Sequence, residues 1–142
     1  SALVANRPDG RYYAMKILHY LPDNRTWGGM EAYLLATLPR LAARGYRVTA
    51  AVTDGGPLHR RLEAEGVPVR PVPPNTNRPV FRSLDPRPMG GLLRVLRGER
   101  PDLVHIHKGR IEQAAIARAG FPLVYTYHSY GAVYNLEFAP SE

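Results

Sequence analysis

Residues 28–53 read GGMEAYLLATLPRLAARGYRVTAAVT, and this stretch decides the fold. Met30, Leu34, Leu38 and Leu41 recur at three- and four-residue intervals, which predicts a helix from about Gly29 to Arg44 with one apolar stripe to bury. Pro39 lies inside it, removes one backbone hydrogen bond and predicts a kink unless its surroundings compensate. Gly45 stands where a left-handed residue closes a helix. The chain then changes to RVTAAVT at Arg47–Thr53, a short β-branched and aliphatic run that reads as a strand.

The same theme repeats outward. Further strand-like runs are KILHYL (Lys16–Leu21), VPVRPV (Val67–Val72), DLVHIH (Asp102–His107) and LVYTY (Leu123–Tyr127). A second helix starts at Pro57, carries Leu58 and Leu62 inward and stops at Gly66; a third covers about Pro88 to Glu99, and a fourth about Arg110 to Ala119. Strands separated by helix-length crossovers specify parallel pairing. The fold class is therefore α/β, an open Rossmann-like parallel sheet of five or more strands with helices on both faces. Residues 1–14 (SALVANRPDGRYYA) have no sustained period and precede an initiator-like Met15, so they read as a flexible leader or remnant, with the domain proper at 15–142. The Pro- and Asn-rich residues 73–88 read as a long loop at a strand's carboxyl end.

Composition narrows the function. With 142 residues, 44% of them apolar, the chain can bury one ordinary core. It has no cysteine, which removes disulfides, thiolate catalysis and cysteine-ligated zinc, and fits a reducing cytoplasm. No apolar run approaches the roughly 20 residues that cross a bilayer, and no signal core opens the chain. The net charge of +7 favours anionic partners. Of the 19 basic residues 17 are arginine, scattered without a stripe interleaved with aromatics, so nucleic acid is not the expected partner. Anionic small molecules, or reversible peripheral contact with an acidic membrane face through Arg60 and Arg61, fit better.

In an open parallel sheet, ligands bind beyond the carboxyl ends of the strands. Gly28 and Gly29 follow the first strand there and open the first helix, whose unpaired N–H groups can cradle a phosphate; the alternative is a tight loop in which glycine supplies special dihedrals. Neither GxGxxG nor GK[ST] is present, which removes the main support for nicotinamide dinucleotides and P-loop chemistry. Glu31 reads as a partner of the helix dipole. His105 and His107 share a strand face, His107 at the carboxyl end and His105 deeper, as a hydrogen-bonded core residue. His128 offers a third nitrogen, yet no carboxylate or cysteine falls at a recognisable ligand spacing, and no metal is assigned. His128 is also the imidazole best placed after a strand to donate to a sugar hydroxyl or a leaving phosphate; the bland alternative is a strand-capping loop histidine. No nucleophile elbow or carboxylate pair supports acyl transfer or glycoside hydrolysis.

The ordered landmarks MKILHYLP, GGMEAYLLATLPRLAARGYRVTAAVT, GVPV, RPDLVHIHKG and FPLVYTYHSYG, spanning Met15 to Gly131, resemble the amino-terminal half of retaining GT-B glycosyltransferases of family 4 (glycosyl transferases group 1). The resemblance implies sugar transfer from a nucleotide diphosphate sugar to a hydroxyl acceptor, lipid-linked or polysaccharide, with retention and without a further cofactor. By analogy, Gly28 and Gly29 would lie against the donor diphosphate and His128 would act as the catalytic residue facing the sugar. Loops with Asn24, Arg25, Lys108 and Tyr130 would shape the acceptor site above His107. The family's Glu-x7-Glu region belongs to a second, donor-gripping domain that this sequence lacks, so the expectation is an acceptor-side fragment of a cytoplasmic enzyme, inactive alone. A stand-alone Rossmann-like binding or regulatory module, and one subunit of a split transferase, are the alternative readings.

Overall fold

The computed structural model describes residues 4–6, 8–10, 12–22, 27–73, 86–107 and 110–126. In chain order the elements are β1 (Val4–Asn6), β2 (Tyr12–Ala14), β3 (Lys16–Leu21), α1 (Gly29–Ala43), β4 (Arg47–Thr53), α2 (Pro57–Ala64), β5 (Val69–Val72), α3 (Pro86–Glu99), β6 (Leu103–Ile106), α4 (Arg110–Arg118) and β7 (Leu123–Tyr125). Five strands form one sheet in the order β5-β4-β3-β6-β7, every neighbouring pair parallel. The expected Rossmann-like sheet is thus present. Two of the expected strands begin later than the sequence suggested, at Val69 and Leu103, and α3 begins earlier, at Pro86. Most of the loop expected at 73–88 lies outside the described residues.

Side-chain alternation along the central strands builds two separate cores. Leu18, Tyr20, Ala51, Val104 and Ile106 face Leu92 and Leu96 of α3 and Ile116 of α4. Leu21, Ala50 and Val52 face Leu34 and Leu38 of α1 and Leu58 and Leu62 of α2. Helices therefore cover both faces, as runs of β-branched residues buried on two sides require. The α1 stripe is the one the sequence predicts, with Met30 and Leu41 packed at its margins. Pro39 sits inside α1 without ending it; Leu34 and Leu38 before it are buried, and Leu41 after it packs against the same core. At its exit Gly45 adopts φ 96°, and the amides of Gly45 and Tyr46 return to the carbonyls of Ala42 and Leu41; Gly66, at φ 78°, closes α2 with the same pair of bonds.

The absence of a period in residues 1–14 does not mean absence of structure. β1 and β2 pair antiparallel, Val4 opposite Ala14, around a turn in which Gly10 has φ 78°. Tyr13 donates its hydroxyl to Asp102 Oδ1 at 2.7 Å, while the Lys16 amide donates to Asp102 Oδ2 at 2.8 Å. The aspartate of the Arg-Pro-Asp sequence thus works at the amino edge of the sheet, opposite the carboxyl ends of the strands. Beside it Lys16 Nζ bridges Glu99, 2.7 Å from both its backbone carbonyl and Oε2, and Arg70 Nε pairs with Oε1 of the same residue. Burial works to raise the Glu99 carboxyl, but hydrogen bonds from Lys16 and Arg70 prevail and hold it below its ordinary value.

Close approach of a proline ring explains one glycine in α3. A Cβ on Gly91 would stand 2.5 Å from Pro73 Cδ, whereas one on Gly90 would meet nothing within 4 Å. Gly91→Ala should therefore cost about 1–3 kcal/mol by overpacking, and Gly90→Ala should be neutral or gain up to about 1 kcal/mol. Thermal denaturation of the two variants side by side checks this; equal shifts would refute the close seating of α3 on Pro73.

Candidate functional site

The chain moves outward from β3 through β4 to β5, then jumps back to lay β6 on the other side of β3. In open α/β sheets such a reversal is where a ligand crevice forms, here beyond the carboxyl ends of β3 and β6. Gly28, Gly29 and His107 all lie there. Gly28 precedes the first turn of α1 with extended backbone, φ −149° and ψ −165°, and accepts from the amide of Ala32 at 3.0 Å. Neither glycine of the pair has a positive φ. Special dihedrals thus do not account for them, and what the missing side chains provide is room. Gly29 is exposed, with nothing within 4 Å of where its Cβ would stand.

Glu31, two residues further on, is buried rather than solvated. Its Oε2 lies 3.1 Å from the Cβ position of Gly28. A carboxylate in the first turn favours the positive end of the helix, as expected, and it also occupies the flank of Gly28, leaving Gly29 as the open position of the pair. Trp27, just before the pair, is covered from outside by α2: the Arg61 guanidinium lies 4.2 Å from the centroid of its ring. Arg60 donates to the carbonyl of Gly55. The hydroxyl of Thr53 donates to the carbonyl of Pro22 and ties the exit of β3 to the end of β4.

Under the crevice lies a row of three imidazoles. The β3–β6 register sets His19 opposite His105, and His107 follows two residues on along the same face. His19 Nδ1 is 3.0 Å from His107 Nε2. The rings of His105 and His107 stack with centroids 4.2 Å apart, and His19 and His105 are 5.0 Å apart. His105 Nε2 meets Thr126 Oγ1 at 2.6 Å, which anchors the exit of β7 to β6. The half-exposed Tyr33 ring of α1 lies 5.9 Å from His107. Burial, and then the neighbouring His105, push the pKa of His19 down from 6.5 to about 3, so this ring is neutral at physiological pH.

Of the residues singled out from sequence, the fold brings Gly28, Gly29 and His107 to one edge, and His105 has the hydrogen bond expected of it. Asn24, Arg25, Lys108, His128 and Tyr130 lie outside the described residues. His19 was missed: inside KILHYL it looks like an interruption of an apolar strand. A usable signal was present, because a parallel neighbour carrying His-x-His gives a histidine in the adjacent buried strand polar company. Tyr33 and Thr126 carry no signal until α1 and β7 are packed.

The lowered pKa has a consequence for stability. Between pH 6.5 and about 3 the unfolded chain holds a proton on His19 that the folded chain does not, so stability rises with pH through this window and is lost on acidification. The slope of unfolding free energy against pH should carry up to about 1.4 kcal/mol per pH unit from this one proton. His19→Phe should remove that component whatever it does to stability itself. Urea titrations at a series of pH values would read it, and an unaltered slope in the variant would disprove the assignment.

Similarity to known proteins agrees with this architecture. The Glycosyl transferase 4-like domain matches residues 28–141. The D-inositol 3-phosphate glycosyltransferase of Saccharomonospora viridis is 32% identical over 134 residues, covering 85% of this chain and 31% of the relative. A D-inositol 3-phosphate glycosyltransferase of Catenulispora acidiphila is 35% identical over 123 residues, covering 80% of this chain and 29% of its own length. The chain thus spans about a third of the length of these relatives. Among solved structures, a glycosyltransferase from Rickettsia africae superposes with a TM-score of 0.62 at 19% identity, over 87% of this chain and 34% of its own. Anabaena Alr3699/HepE, solved with UDP-glucose, gives 0.58 at 23% identity, over 81% and 29%. With its Rossmann-like sheet and a family match over most of its length, this chain belongs to the glycosyl transferase 4-like family.

Proposed function

We propose that the chain is the amino-terminal, acceptor-binding half of a retaining glycosyltransferase, which moves a sugar from a nucleotide diphosphate sugar to a hydroxyl acceptor. The observation that carries this reading is the meeting, at one rim of the sheet's reversal point, of a side-chain-free helix start with a buried imidazole row. Backbone N–H groups at Gly28 and Gly29, at the positive end of α1, suit the diphosphate of the donor, approached from the open side at Gly29. His128 faces the sugar and the reacting hydroxyl. Asn24, Arg25, Lys108 and Tyr130 line the acceptor loops, with His107 held beneath them. The leaving phosphate assists deprotonation of the acceptor, so the protein's share is positioning and electrostatic stabilisation. A second lobe supplies most of the grip on the nucleotide.

The relatives support this reading. HepE was crystallised with UDP-glucose and with UDP, which makes uridine diphosphate sugars the first donors to try. The curated relatives bear the name D-inositol 3-phosphate glycosyltransferase, and an anionic polyol acceptor suits a chain of net charge +7. Membership of the family weighs against a module without chemistry.

The decisive experiment joins the chain to its carboxyl half and assays transfer. His128→Ala should abolish turnover with the circular dichroism spectrum preserved; undiminished transfer would remove His128 from the mechanism. The 142-residue chain alone should show negligible turnover and weak donor affinity by calorimetry, and tight donor binding would refute the proposed division of labour.

A further inference from the structure

Three imidazole side chains are gathered where a parallel sheet normally places aliphatic ones. One ring nitrogen from each of His19, His105 and His107 lies within 4.8 Å of the others. His19 is only 2% exposed and His107 3%. The Nδ1–Nε2 contact of His19 and His107 uses one nitrogen of His19; the other, Nε2, is buried and has no hydrogen-bond partner among the described residues. Burying a polar nitrogen unpaired is costly, and native structures seldom leave one so. Protonation does not relieve the cost, because among the described residues the cluster contains no carboxylate to balance a buried imidazolium.

We propose that His19, His105 and His107 form a site for one divalent transition-metal cation of the zinc class, clipping β3 to β6 under the crevice. An all-imidazole donor set selects zinc, copper, nickel or cobalt over magnesium and calcium, which require oxygen ligands. Three histidines with one remaining position are a recurrent zinc arrangement. Thr126 supplies the outer hydrogen bond that such sites use to orient a ligating ring, at 2.6 Å from His105 Nε2. The backbone comes preformed, since the ladder between β3 and β6 already sets the three residues in register. The cation bridges two strands separated in sequence by α1, β4, α2, β5 and α3, so its effect is to stabilise the fold, independently of sugar transfer.

The test uses the chain loaded with Zn2+ alone, dialysed, and read by metal analysis and calorimetry. One Zn2+ per chain and a raised melting temperature are expected. Thr126→Val should weaken binding by about 10-fold or more, and His19→Gln or His105→Gln by at least as much. His59→Gln is the control: His59 faces Asp54 at 3.3 Å and Glu63 at 3.0 Å on the surface of α2, the place where adventitious zinc would collect, and its loss should leave the stoichiometry unchanged. Co2+ added to the unaltered chain gives a readout that depends on no variant, with intense visible bands expected from a four-coordinate nitrogen site. The proposal is overturned by folded chain that takes up no Zn2+ at severalfold excess, by binding that follows His59 instead of the cluster, or by a Co2+ spectrum no different from the aqueous ion.

Discussion

Parallel pairing of β3 with β6 is the constraint on which the rest of the structure depends. Strands separated by more than eighty residues come side by side in a single register, Ile17 with Leu103 through Tyr20 with Ile106. This pairing reverses the direction in which the sheet grows and so creates the crevice. At the amino edge the same pairing brings Asp102 to the Lys16 amide and to Tyr13, and Glu99 to the Lys16 ammonium. Those ties hold the hairpin and the start of the central strand in place. At the carboxyl edge it lines up the imidazoles. The two edges thus divide the labour, with charged and carboxylate contacts anchoring one end and imidazoles and bare backbone arranged at the other.

A polar row inside a sheet has an energetic logic. His19 takes the place of an aliphatic side chain among fully buried neighbours such as Leu18, Tyr20 and Leu21, and burial there keeps its ring uncharged. A neutral imidazole is tolerable in such a place because a neighbour can share its proton, as His107 does for Nδ1. Thr126 does the same for His105, and that bond ties the exit of β7 to β6. The histidines therefore act first as strand-to-strand connectors, and the chemistry proposed for the rim rests on them. On the α1 side the buried Glu31 fills the space beside Gly28 and leaves Gly29 open.

Much of this was legible in the amino-acid order. KILHYL and RVTAAVT became β3 and β4 with the expected boundaries, because local apolar runs and their Gly or Pro ends are short-range properties. Gly45 and Gly66 closed their helices as expected, for each lies beside the carbonyls it satisfies. The hairpin of residues 4–14 escaped notice because its strands are three residues long and its anchor, Asp102, is remote in sequence. Gly91 escaped for a similar reason, since its closeness to Pro73 exists only once α3 is seated.

What the sequence by itself determined is the alternation of strand and helix, the parallel sheet that alternation requires, and the position of a glycine pair and His107 just beyond the carboxyl ends of strands. What only the tertiary structure decided is which strands became neighbours. His19 lies more than eighty residues before His105 and His107, and no local period relates them; a shared register and burial on the same face do. Whether an imidazole is a buried irregularity or part of a three-nitrogen cluster depends on distances of a few ångströms across the sheet, which are set by packing and not by spacing along the chain.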